Sequence, residues 1–430
     1  MTRTSQPAPV RQDTRKVHPA WWVAATTGLV ILVTGWSTGM PGVLTNPLLE
    51  EFGWSRGAIG FAFAVNIVLY GLTAPFAAAL MDRFGIRLVV STALVVMAAG
   101  AALTAMMTGS WQLVAGWGVL VGLATGSMAL TFAATVANRW FVSRRGLVSG
   151  VLTSASMFGG MVLMPLLAWI VEQYQWRTGV VVVGLTALAL LPMVLLLLRD
   201  HPGDLGLKAY GAAAYTPKPA ASTGAARRAL VLLRQAAGTA PFWLLAGTFA
   251  ICGGSTNGIM MTHFVPATSE HGMPAMIATS LLLVVGVFNT VGAAGSGWLT
   301  DRFSERWLLV AYYALRAVAL LLLPLFLSST VQVPMVVFVV GYGLLDLATV
   351  PPTIGLCRKY YGEDDGAVIF GWVSAAHALG AGTAAFFGGV TRELLGSYTT
   401  VWIGAGAMCA VAALMSLGFR KSWWSSAPAS

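Results

Sequence analysis

Long apolar runs, broken by short charged segments, set the pattern of this chain from end to end. A helix needs about 20 apolar residues to cross the hydrocarbon of a bilayer. Twelve runs answer that description: 20–43, 57–80, 88–108, 111–138, 147–171, 176–198, 241–264, 274–299, 307–328, 332–356, 367–390 and 398–418. Between the sixth and seventh lies a polar stretch, 199–240, holding Lys208, Lys218, Arg227, Arg228 and Arg234. The pattern predicts an all-α polytopic membrane protein of twelve transmembrane helices, arranged as two pseudo-symmetric six-helix bundles, 20–198 and 241–418. The stretch 199–240 is the linker between them, and 1–19 and 419–430 are tails.

Composition agrees with the pattern. Of 430 residues, 57% are hydrophobic and 9% charged, against about 25% charged in a soluble domain. The net charge of +10 is not gathered into a basic groove with stacking aromatics, which argues against nucleic acid as a partner. Cys252, Cys357 and Cys409 sit in or beside apolar runs, without metal-ligand or disulfide spacing, so no metal and no cofactor is expected.

Charge placement tests the number of spans. With the N-terminus on the cytoplasmic side, 21 of the 25 Lys/Arg fall on that side and three (Arg56, Arg177, Arg392) on the other, while Arg316 lies within a span. A missed span would reverse the sign downstream and erase the bias, so the positive-inside rule predicts twelve spans with both termini cytoplasmic. The first apolar run is too long for a signal peptide and reads as a retained span; the expected location is the plasma (inner) membrane.

The chain repeats itself. Leu80-Met81-Asp82-Arg83-Phe84-Gly85-Ile86-Arg87 recurs as Leu299-Thr300-Asp301-Arg302-Phe303-Ser304-Glu305-Arg306, 219 residues later. Arg139-Trp140-Phe141-Val142-Ser143-Arg144-Arg145-Gly146 is echoed by Lys359-Tyr360-Tyr361-Gly362-Glu363-Asp364-Asp365-Gly366, offset by 220. Parallel copies of six helices are related by an axis along the membrane normal, an arrangement found in secondary transporters.

Asp82-Arg83-Phe84-Gly85-Ile86-Arg87, preceded by Ala78, resembles the loop-2/3 signature of the major facilitator superfamily, with Ala78 in place of the usual glycine. The second copy keeps that glycine, as Gly297 before Asp301-Arg302. Within the superfamily, Arg139 through Gly150 and the segment Thr34-Gly35-Trp36 through Pro41 resemble the monocarboxylate/oxalate carrier branch. The resemblance implies transport of small organic acids, commonly with a proton. It also implies a lysine at the outer end of the first helix and an Asp/Arg pair in the eighth; this chain has Gly42, Asn289 and Ala293 near those places. His377 occupies a place comparable to the anion-binding lysine of the oxalate carrier.

An ionised side chain at mid-bilayer costs about 2.5–3.5 kcal/mol on insertion scales. Arg316 lies ten residues beyond Arg306, about 15 Å deep at 1.5 Å per residue, and Asp346 is mid-span in the tenth helix. Two readings stand. The pair neutralises itself and stabilises packing, or Arg316 attracts a carboxylate while Asp346 carries a proton. Asn257, Asn289, His377 and Trp36 complete the candidate substrate contacts, Asn257 alternatively being interhelical glue. Asp82, Arg83, Arg139, Arg144, Arg145, Asp301, Arg302, Asp364 and Asp365 are the candidate inner gate, with Asp82 expected at the start of helix 11 and Asp301 at the start of helix 5 in the outward-facing state. The Gly118, Gly122, Gly126 stripe reads as packing.

The expected function is alternating-access transport of a small, monocarboxylate-like organic anion, coupled to a proton or a counter-anion, in a lipid bilayer, with one chain as the functional unit. A multidrug exporter of the same fold and a transporter-like receptor are the alternatives. No catalytic motif points to an enzyme.

Overall fold

The computed structural model describes residues 18–420 apart from 129, 145–146, 149–150, 153–154, 156–158, 161–162, 216–224 and 301. Arg145 and Asp301 therefore lie outside the described residues, as does the side chain of Asp364.

Among the described residues, eleven helices are long and apolar enough to cross a membrane. In chain order they begin with α1 (Pro19–Phe52), α2 (Arg56–Phe84), α3 (Ile86–Ala105) and α4 (Ser110–Trp140). After α4, and not one of the eleven, comes α5, whose described helix is Met164–Tyr174; residues 149–150, 153–154, 156–158 and 161–162 of its expected span, 147–171, fall outside the described residues. The series continues with α6 (Trp176–Leu197), α7 (Ala240–Glu270), α8 (Ala275–Thr300), α9 (Glu305–Leu325), α10 (Val333–Tyr361), α11 (Glu363–Leu395) and α12 (Thr399–Ser416).

Local chemistry sets the helix ends. Ser55 accepts from Ala58 N at 3.1 Å and starts α2. Gly53, at φ +63°, closes α1. The turn inside the Asp82–Arg87 motif needs its glycine: Gly85 has φ +88°, and a Cβ there would lie 2.4 Å from an oxygen of Asp200. That carboxylate accepts from Arg87 N at 2.9 Å at the start of α3.

The buried apolar residues form separate cores. One draws only on residues between Ala20 and Leu198. The other two draw on residues from Ala236 to Phe419, with Met164 as the single contributor from the first half. The α4 glycine stripe packs on α2: added Cβ atoms at Gly118, Gly122 and Gly126 would come within 3.0 Å of the carbonyls of Ala62, Asn66 and Tyr70. Asn66 donates to Trp117 O at 2.7 Å across the same contact.

The linker is more structured than its polarity suggests. Tyr210 bridges to Phe141 beside the N-terminal end of α1, where Trp21 packs on both rings. An amphipathic helix, Ala225–Ala237, packs on α2, α7 and α11. Its apolar face, Leu232, Leu233 and Ala236, joins the core of the second half, and a tally of charges hides that periodicity.

Candidate functional site

Among the described residues, Arg316 and Asp346 are buried together in the second half, where α7, α9, α10, α8 and α11 meet. The geometry there starts with the glycine-rich sequence of α7. From Gly254 to Met260 the helix widens into a π-helical turn, a feature that often accompanies functional sites. Tyr342 Oη donates to Ser255 O in this turn at 3.2 Å, and Tyr313 Oη donates to Thr248 O about two turns earlier at 2.9 Å. A Cβ on Gly253 would stand 2.0 Å from His377 O, so α7 and α11 touch backbone to backbone there. The contact brings the His377 ring 4.9 Å from that of Phe249 and beside the Cys252 thiol.

In α10 the regular helix stops at Asp346 and passes through a 3₁₀ turn, Leu347–Thr349, before resuming at Val350. Pro351 and Pro352 supply no amide hydrogens to the carbonyls four residues back. Ser296 Oγ of α8 donates to one of those carbonyls, Ala348 O, at 2.5 Å. Arg316 occupies the end of the first segment. Its guanidinium donates to Leu345 O at 2.9 Å and to Asp346 O. A cation is electrostatically favoured at a helix C-terminus, where unpaired carbonyls accumulate.

The rest of the cluster closes around that guanidinium. Arg316 also donates to Cys252 Sγ and Ser255 Oγ, both at 3.3 Å, and lies 3.5 Å from the Asp346 carboxylate. The Tyr313 and Tyr342 rings stand 5.7 and 5.9 Å from its Cζ. Asp346 accepts from Thr256 Oγ1 at 2.6 Å and from Asn289 Nδ2 at 3.2 Å. Arg316 is 0% exposed and Asp346 1%.

The structure thus joins five sequence candidates unevenly. Arg316, Asp346 and Asn289 form one buried unit, the paired arrangement that was one of the two readings of Arg316 and Asp346. His377 touches its edge through Cys252 and is half-buried. Asn257 is half-buried on the same π turn, next to Thr256. Trp36 stands apart: it is 5% exposed, and its indole donates to Leu163 O at 2.7 Å, binding α1 to the start of α5.

The end of the bundle carrying the linker, here the basic end, holds the gate candidates. Asp82 pairs with Arg139 of its own half, and Arg139 also donates to Asp200 O. Arg83 lies over Phe84 and Arg302 over Trp298, at 5.1 and 3.9 Å. Arg144 is exposed with φ +60°. Asp365 pairs with Arg228 of the linker helix at 2.8 Å.

At the opposite end the two halves are shut against each other. Glu270 of α7 pairs with Arg56 of α2 at 3.1 Å and with Arg392 of α11 at 2.9 Å. Arg56 also donates to Tyr398 Oη at 3.0 Å. Gly57 N donates to Glu393 at 3.3 Å, and Met276 N of α8 donates to Glu172 of α5 at 3.1 Å. A cavity of about 640 Å³ remains at this end, lined by Asn46, Glu50, Glu172, Arg177 and Ser269 among others. Sequence reasoning missed this closure, although the signal was present. Arg56, Arg177 and Arg392 are the three basic residues assigned to the sparse side, and each is ion-paired, Arg177 with Glu51 at 2.5 Å.

A family model described as Major Facilitator Superfamily matches residues 27–299 and 295–423. Monocarboxylate transporter 13 of Rattus norvegicus is 27% identical over 391 residues, covering 85% of this chain and 81% of its own length. Monocarboxylate transporter 11 of Homo sapiens is 25% identical, covering 99% and 88%. Among solved structures, a bacterial homologue of the lysosomal transporter Spinster, in an inward-facing and unoccupied conformation, superposes with a TM-score of 0.75 at 15% identity, covering 96% of this chain and all of that one. The xylose transporter XylE of E. coli, inward open, gives 0.71 at 14%, covering 93% and 96%. With these matches covering most of its length, the chain belongs to the Major Facilitator Superfamily.

Proposed function

We propose that this protein is a secondary active transporter of a small, monocarboxylate-like organic anion, working by alternating access in the plasma (inner) membrane with both termini cytoplasmic. One chain is the functional unit. The names of its relatives support the substrate class. The observation that carries the reading is the second-half cluster, a fully buried cation whose edge reaches the half-buried His377 and Asn257.

In this reading His377 and Asn257 contact the carboxylate. Arg316 acts from behind Cys252, adding positive potential without touching the anion, because its Nη1 and Nη2 groups already serve α7 and α10. Asp346 is the proton-coupling group, held by Thr256 and Asn289. Trp36 contributes an apolar wall. The closed end at Glu270 corresponds to an inward-facing state. Asp82, Arg83, Arg139, Arg144, Arg145, Asp301, Arg302, Asp364 and Asp365 form the inner gate in the alternate state.

An anion entering alone against an inside-negative potential loses about 2.3 kcal/mol per charge per 100 mV. Proton symport or exchange for a counter-anion removes that cost. Uptake of labelled small carboxylates into proteoliposomes tests the proposal. Symport predicts stimulation by an acidic exterior, and exchange predicts stimulation by an internal counter-anion. No uptake of any small monocarboxylate under either gradient would refute it.

A further inference from the structure

We infer that the exposed face of the linker helix is a docking surface for anionic phospholipid headgroups in the leaflet at the basic end. Ala225–Ala237 has two distinct faces. Ala229, Leu232, Leu233 and Ala236 turn toward the bundle: Ala236 is 2% exposed, and the Ala229 carbonyl accepts from Trp372 Nε1 of α11 at 3.0 Å. Arg227, Leu230, Val231 and Arg234 turn the other way and are all exposed. At 100° per residue Arg227 and Arg234 stand almost in line, seven residues apart, with Leu230 and Val231 on either side.

That combination does not suit open water. Leu230 is 51% and Val231 46% exposed on a helix that has already buried its other apolar face. The wall beside it is lipid-facing in character, with Phe76, Leu80 and Leu379 exposed along the α2/α11 seam and Phe76 edge-on to Trp372 at 6.4 Å. Two guanidiniums flanked by aliphatic side chains, on a helix whose inner face meets an apolar wall through Trp372, match a phosphodiester above an acyl chain. Basic residues on an amphipathic helix beside a membrane segment bind anionic lipid in this way. The helix is held in place independently of lipid, by Arg228–Asp365 and by Trp372. It packs on both α2 and α11, so a bound lipid touches the seam between the halves.

Native mass spectrometry of the purified full-length protein, titrated with phosphatidylglycerol or phosphatidylcholine, tests this. Each basic residue near an anionic surface contributes about fivefold to binding, from about 1 kcal/mol per residue. The wild-type protein should retain phosphatidylglycerol over phosphatidylcholine. The double variant Arg227→Gln/Arg234→Gln should lose roughly tenfold or more of that preference, and Arg227→Lys/Arg234→Lys should keep most of it. Unchanged retention in the Gln variant overturns the inference. So does self-association through this face, detected as crosslinking of Val231→Cys between chains in place of lipid retention.

Discussion

Glu270, in the second half of the chain, holds the guanidinium of Arg56, in the first, at 3.1 Å. The same carboxylate also grips Arg392 at 2.9 Å, so one residue ties α7 to both α2 and α11. These side chains are 18–25% exposed, which leaves each pair worth about 1 kcal/mol or less after screening. Glu270→Gln keeps the shape and removes the charge. The closed end should open about fivefold more often, the ratio that about 1 kcal/mol sets. Maleimide labelling of Val43→Cys, on the cavity wall at that end, should rise by the same factor, and an unchanged rate would show that packing alone keeps the end closed.

Arg316 and Asp346 should behave as a unit. Removing one partner of a buried pair strands the other, at about 3–5 kcal/mol. Arg316→Gln and Asp346→Asn should each lower the apparent melting temperature in detergent sharply, and the double variant should be less impaired than the two effects added together. Additive losses would mean that the 3.5 Å pair is not coupled.

His377 and Asn257 should separate from Asn289 in kinetics. His377→Ala and Asn257→Ala should raise KM for the carboxylate about tenfold or more, the loss of one hydrogen bond to a charged group, with thermal stability little changed. Asn289→Ala, which takes a donor from buried Asp346, should lower stability first. Uptake kinetics and melting curves measured on the same preparations check the split.

The α7/α11 contact should tolerate no methyl group. Gly253→Ala would place a Cβ 2.0 Å from His377 O and should destabilise by about 1–3 kcal/mol. Gly295→Ala, with nothing within 4 Å of its Cβ, should be neutral or slightly stabilising, as Ala replaces Gly within a helix. Equal melting temperatures for the two variants would contradict the close crossing.

The spans were legible because length, apolarity and the sign of flanking charge each constrain them separately. The pairing of Arg316 with Asp346 was legible as one of two readings, since two opposite charges at one depth have few other partners. What the sequence hid was the use of the remaining guanidinium donors. They serve Leu345 O and Asp346 O, carbonyls free only because α10 breaks there, and Pro351-Pro352 signalled a bend without saying what would hold it. Asp82 was harder still. Its partner in this state, Arg139, lies 57 residues away in the same half, and nothing local distinguishes that choice from a partner across the seam. The linker helix was obscured because its apolar residues are interleaved with arginines.

The break in α10 has a mechanical consequence. Its two segments, Val333–Asp346 and Val350–Tyr361, meet at a joint held by two neighbours, Arg316 of α9 and Ser296 of α8. The joint is therefore held from outside the helix that carries it. A small slide of α9 would therefore pull on the basic-end segment as well, because Glu305, at the foot of α9, holds Lys359 there at 2.6 Å. One helix thus grips both the pivot and the far end of its neighbour, as a crank grips a lever.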